Sequence, residues 1–167
     1  MRQIPFFHQR TDYYCGPAII QMVLGAYGIR ITQREAARLA KTDKESGRAT
    51  GKETGTSTKN LLKTLRDFGL RTEAHNGRTI KELKGALKTD LIVIVCYTES
   101  KEEWGHYAIV KGFRTRTIMF IDPDAHTAHT PMKLREFKKR WQDPLHTKSK
   151  QWAAFIDGPA KKSKKGS

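Results

Sequence analysis

One cysteine, one histidine, one aspartate and one glutamine of this chain occur where each could serve nucleophilic catalysis. Cys15 precedes Gly16 and Pro17, and Ile19, Ile20, Val23, Leu24 and Tyr27 then recur at helical spacing. A thiol just ahead of a helix meets unpaired backbone N–H groups and the positive end of the helix dipole, and both favour a thiolate. The other cysteine, Cys96, closes the apolar run Leu91-Ile92-Val93-Ile94-Val95 and reads as an inert core residue. A free cysteine can also simply pack, so Cys15 needs a base and an orienting group to count as a nucleophile.

Six histidines compete for the role of base. His106 opens an apolar strand, Tyr107-Ala108-Ile109-Val110, and the next strand ends in Ile121-Asp122-Pro123. A hairpin centred on Arg114, with a loop of three or five residues, sets His106 directly opposite Asp122, with Cβ atoms ~4.5–5.5 Å apart. A two-residue turn shifts the register by one and sends the two side chains to opposite faces. The bland reading is a surface pair worth a few tenths of a kcal/mol. Gln9, six residues before Cys15, has a carboxamide that could donate to a developing oxyanion beside the Cys15 backbone N–H.

These residues need elements to hold them. Gly28 ends the Cys15 helix, and Thr32 with Glu35 forms a capping-box pattern that opens a second helix, running to about Lys41. Residues 42–57 are polar and read as a mobile loop that could gate access. A third helix is expected over 58–68, ending at Gly69, and a fourth after the capping box of Thr79 and Glu82. Strands follow over 91–97, 106–113, 117–122 and 152–156, with a basic amphipathic helix over 131–141 between the last two. Helices first and antiparallel strands later make an α+β fold. Trp104 could wall a cleft or pack, Trp141 and Trp152 read as core, and His8 reads as a surface residue bordering Gln9.

Composition bounds what remains. The chain has 167 residues, 37% of them hydrophobic, and a formal charge of +15. One domain over residues 1–158 and a basic tail over 159–167 are expected. No apolar run reaches the ~18–20 residues of a membrane span, and no signal sequence opens the chain, so a cytoplasmic protein is expected. With two cysteines, a disulfide scaffold is excluded. The cations are dispersed and accompany no nucleic-acid-binding motif, so specific nucleic-acid binding is not expected. Asp122, Asp124, His126 and His129 include metal-ligating types, but their spacing fits no metal motif and reads as a solvated loop. No metal or cofactor is expected.

Taken jointly and in order, Gln9, the stretch Asp12-Tyr13-Tyr14-Cys15-Gly16-Pro17-Ala18, Gly105-His106-Tyr107-Ala108-Ile109-Val110 and Ile121-Asp122-Pro123 resemble the C39 family of papain-like cysteine peptidases. Gly55-Thr56-Ser57 is similar to the family as well. The resemblance spans residues 3–157 and implies a papain-like α+β fold, with the cysteine on a central helix and the histidine and aspartate on the sheet. It further implies that Cys15 is the nucleophile, His106 the base and later acid, Asp122 the orienting carboxylate and Gln9 the oxyanion-hole donor. The best-known members trim leader peptides after two small residues, usually glycines, and are joined to an exporter. These 167 residues include no transporter, so the expectation is a free-standing domain, with a peptide or protein substrate, a double-glycine leader foremost, and a separate transporter as possible partner. Acyl transfer to an amine, and a non-catalytic peptide- or nucleic-acid-binding module, are the alternatives; the oligomeric state is not legible.

Overall fold

The computed structural model describes residues 2–43, 55–99, 105–142 and 150–159. Most of the 42–57 loop, Trp104 and the basic tail lie outside the described residues. The order is α1 (Cys15–Ala26), α2 (Gln33–Leu39), α3 (Thr58–Asp67), β1 (Arg71–His75), α4 (Ile80–Lys88), β2 (Ile92–Thr98), β3 (Gly105–Arg114), β4 (Thr117–Ile121), β5 (Thr130–Lys133), α5 (Leu134–Arg140) and β6 (Ala153–Asp157). The strands form one antiparallel sheet in the order β1-β6-β2-β3-β4-β5. This is the expected α+β arrangement of N-terminal helices against a C-terminal sheet.

Local chemistry sets the helix ends. Gly28, at φ +79°, closes α1 while the Ile29 N–H reaches back to the Leu24 carbonyl, the pattern of a Schellman cap. The Thr32 hydroxyl accepts from the Glu35 N–H, Ser57 from Asn60, and Thr79 from Glu82, whose carboxylate in turn accepts from the Thr79 N–H. Each such cap is worth about 1 kcal/mol.

Strand alternation divides the core in two. Ile92, Ile94, Cys96, Tyr107, Ile109 and Ile121 meet α1 through Ile19, Ile20 and Val23. Val93, Val95, Tyr97, Ala108, Val110, Ile118 and Phe120 turn the other way, against Leu83 of α4 and Phe137 of α5. Cys96 is buried, as are Trp141 and Trp152.

Two stretches depart from expectation. Residues 130–133, the first part of the segment expected to be helical, form β5, and α5 begins only at Leu134. Pro131 cannot complete a ladder in a central strand, but among the described residues β5 pairs with β4 alone and ends the sheet, where proline is tolerated. β1, at the opposite edge, pairs among the described residues only with β6; its Arg-Thr-Glu-Ala-His sequence carries no apolar alternation to announce a strand.

Candidate active site

The β3–β4 hairpin controls how His106 meets Asp122, and its register differs from the one expected. Arg114 pairs with Thr117 across a two-residue turn, Thr115-Arg116, not a longer loop centred on Arg114. By itself that turn would place His106 and Asp122 on opposite faces. The ladder then shifts: Gly112 faces Met119, but Val110 faces Phe120, so Lys111 is an extra residue in a β-bulge. Continued from the Ile109–Ile121 pair, the new register sets Asp122 level with Ala108, two residues from His106 and on its face. The two side chains meet diagonally, with His106 Nε2 2.7 Å from Asp122 Oδ1.

Asp122 has further partners. Tyr97, the direct cross-strand partner of His106, donates its hydroxyl to Asp122 Oδ2 at 2.9 Å, and the Asp124 N–H donates to Oδ1 at 2.9 Å. The Tyr97 ring stands edge-on to the imidazole, with centroids 5.5 Å apart. Cys15, Gln9, His106 and Asp122 are each only 6–8% exposed, so charges here must be paired to persist. Burial alone would raise the Asp122 pKa, but the hydrogen bond and charge of His106, with the donors from Asp124 and Tyr97, hold it below its ordinary value. Burial alone would lower that of His106; hydrogen bonds to Asp122 and Cys15, and the charges of both, push it up to about 10. Burial and the neighbouring Asp122 carboxylate raise the Tyr97 pKa, which keeps the phenol a donor.

Cys15 is the first residue of α1, where its backbone N–H has no partner within the helix. The turn around it is closely covered. A Cβ on Gly16 would lie 2.4 Å from Thr56 Oγ1, so glycine is what lets the segment beside α3 approach. Thr56 is held there by the Tyr107 hydroxyl, which donates to its carbonyl at 2.9 Å, and by a 2.7 Å hydroxyl pair with Thr42. An Asp43–Gly55 bridge adjoins this contact.

Gln9 arrives by a separate route. Its N–H donates to the Pro123 carbonyl at 2.8 Å, which ties the N-terminal segment to the residue after Asp122. Its Nε2 donates to the Asp12 carbonyl at 3.3 Å, and its buried Oε1 has no hydrogen-bond partner among the described residues.

The four residues singled out from the sequence thus gather where β3 begins, β4 ends and α1 starts. Asp124, His126 and His129, which follow, do not join Asp122 in a group of metal-ligating side chains among the described residues. His126 stacks on exposed His8, with centroids 5.9 Å apart and planes 10° from parallel, and His129 lies beside Lys111. Among the described residues, no three His, Cys, Asp or Glu side chains form a group that could hold a metal ion. Sequence reasoning missed Tyr97, whose place inside an apolar run marks it as core; the β2–β3 register, once known, would have found it.

Known proteins share this fold. The chain is 26% identical over 149 residues to the mesentericin-Y105 transport/processing ATP-binding protein MesD of Leuconostoc mesenteroides, a match covering 84% of this chain but 19% of that protein. The chain therefore spans about a fifth of that relative. The peptidase domain of Streptococcus ComA, a bi-functional ABC transporter of a quorum-sensing pathway, superposes with a TM-score of 0.72 at 22% identity, covering 95% of this chain and all of that domain. A double-glycine-motif protease from an AMS/PCAT transporter, solved with its leader peptide, superposes with a TM-score of 0.62 at 17% identity over 93% of this chain and 91% of its own. These structures share the fold. The sequence pattern of the Peptidase C39 family matches residues 3–151, nearly the whole described chain, and the protein belongs to that family of papain-like cysteine peptidases.

Proposed function

We propose that the protein cleaves a peptide bond through a thioester on Cys15. His106 takes the thiol proton, and Cys15 Sγ bonds to the carbonyl carbon, whose oxygen becomes an oxyanion. Gln9 Nε2 has two hydrogens; with one directed at the Asp12 carbonyl, the second is available to the oxyanion together with the Cys15 N–H. The C–N bond then breaks as His106 returns the proton to the leaving amine. Water, deprotonated by His106, attacks the thioester, releasing the carboxylate and restoring Sγ. Asp122 holds the imidazole through Nε2, which leaves Nδ1 for the sulfur, and stabilises the imidazolium.

One observation carries this reading: His106 Nε2 lies 2.7 Å from Asp122 Oδ1 in the buried site where Cys15 begins α1. The substrate we infer is a peptide cut after small residues, a double-glycine leader foremost, in keeping with the leader-bound PCAT protease. Relatives that join processing to transport suggest a transporter partner and a cytoplasmic site of action. No helix among the described residues is long and apolar enough to cross a membrane.

The test is incubation with peptides carrying Gly-Gly, Gly-Ala or bulky pairs before the scissile bond, with products weighed by mass spectrometry. Cleavage after the small pair that disappears in a folded Cys15→Ala protein is expected. Turnover retained by Cys15→Ala overturns the mechanism, and a product bearing an added amine in place of water would reassign the reaction to acyl transfer.

A further inference from the structure

We propose that Gln33 is the positioning residue for Gln9. The proposal rests on the reading of Gln9 as oxyanion donor. Gln33 is the first residue of α2 and is 5% exposed, so its carboxamide sits out of water and needs partners. It finds them on both sides of Gln9. Its Oε1 accepts from the Arg10 N–H at 3.0 Å, and its Nε2 donates to the His8 carbonyl at 2.8 Å. A carbonyl at one residue and an N–H two residues on are the groups that a neighbouring strand would engage, and here one side-chain amide does the work of that strand. On its own peptide, Gln9 donates to the Pro123 carbonyl. Its backbone is therefore held from α2 and from the Asp122 segment together.

The clasp also refers Gln9 to the helix that carries Cys15. The Gln21 side chain, on α1, donates to the Ile31 carbonyl at 2.9 Å, and Thr32 then caps α2. From Cys15 through α1, the entry to α2 and Gln33, a continuous bonded path thus reaches the residues flanking Gln9. An oxyanion hole built from a helix N–H and a side-chain N–H on a separate segment needs such a link, because misplacement of about 1 Å forfeits most of its effect. Gln33 itself touches neither the thiol nor the carbonyl it attacks.

Two reactions of Cys15 separate this role from a merely structural one. Acylation by acetyl-Gly-Gly p-nitrophenyl ester forms the Sγ–acyl bond, releases p-nitrophenolate and passes through an oxyanion. Alkylation by iodoacetamide forms an Sγ–carbon bond, releases iodide and passes through none. Both are measured in single turnover on the wild type, Gln9→Ala, Gln33→Met, Gln33→Glu and the Gln9→Ala/Gln33→Met double variant. Gln33→Met keeps the volume and loses both hydrogen bonds. It is expected to slow acylation by about tenfold to a hundredfold, to leave alkylation nearly unchanged and to add no further loss once Gln9 is alanine. Gln33→Glu keeps an acceptor for Arg10 and loses the donor to His8, so it should fall between. Wild-type acylation by Gln33→Met beside a slow Gln9→Ala overturns the clasp alone. Equal loss in both reactions, or additive loss in the double variant, overturns it as well. Wild-type acylation by Gln9→Ala overturns the oxyanion reading beneath it, and the clasp with it.

Discussion

Tyr97 and Asp122 are joined at 2.9 Å, with the phenol donating to Oδ2, the carboxylate oxygen that His106 does not use. The bond lets a nearly buried carboxylate stay ionised, since each oxygen has a donor. Tyr97→Phe strands Oδ2 and should cost about 1–3 kcal/mol. The pH dependence identifies the cause. Asp122 is held below its ordinary value of 3.8, so the stability it contributes is present above that pH and is lost as pH falls through the lower folded-state value. The wild type should exceed Tyr97→Phe in urea midpoint near pH 6, with the gap closing in acid. A gap constant across pH would mean that only packing was lost.

His106 gives the opposite sign. Its ordinary value is 6.5 and its folded value about 10, so the charged imidazole contributes fully below pH 6.5, and that contribution fades as pH rises through about 10. The advantage of wild type over His106→Gln in chemical unfolding should shrink across that interval. Burial pulls the imidazole pKa down and the hydrogen bond to Asp122 chiefly opposes it, so Asp122→Asn should bring the imidazole titration down by about one to three pH units, as followed by NMR of the ring protons. An unmoved titration would assign the shift elsewhere.

The helices were legible because their signals are local. Thr32, Ser57 and Thr79 each sit three residues before the N–H they cap, and Gly28 and Gly69 end α1 and α3 with positive φ. β2 was legible as a β-branched run, and β3 and β4 as the apolar stretches that follow it. What stayed hidden depends on contacts distant in sequence. Residues 131–141 show helical spacing of Met132, Leu134, Phe137 and Trp141, yet Met132 faces Ile118 across a strand pair, an option that exists only once β4 is in place. The bulge at Lys111 has no signature in its own residue type. His106 and Asp122 could be identified as a pair from the sequence, but the route by which they meet could not. Gln33 and Tyr97 were invisible for the same reason, since their partners are 23 or more residues away.

The bulge itself can be removed. Deleting Lys111 joins Val110 directly to Gly112 and leaves the two-residue turn, the Val110–Phe120 pair and the Ile109–Ile121 pair in place as one regular ladder, so His106 keeps the face it shares with Asp122. The deletion should therefore retain the dependence of Cys15 alkylation on His106. Lys111→Ala keeps the extra residue and should leave stability within about 0.5 kcal/mol. Loss of the His106 dependence in the deletion but not in Lys111→Ala would show that the pair needs the bulge itself and not only the register it produces.

Gly16 tests the cover over the first turn of α1. Alanine there is compatible with the helix and would ordinarily stabilise it relative to glycine, by about 1 kcal/mol in a helix interior. Its Cβ, however, would stand 2.4 Å from Oγ1 and 2.5 Å from Cβ of Thr56, and Thr56 is fixed by Tyr107 and Thr42. Steric crowding should win, at about 1–3 kcal/mol, because the atoms that must move belong to a buried, short side chain with little room to turn. Gly16→Ala should therefore melt earlier than wild type, and Thr56→Gly in the same chain should recover part of the loss by removing both clashing atoms. A double-mutant cycle of melting temperatures reads this coupling directly. If the two substitutions simply add, Thr56 does not press on Gly16, and the close approach beside Cys15 is not what requires glycine there.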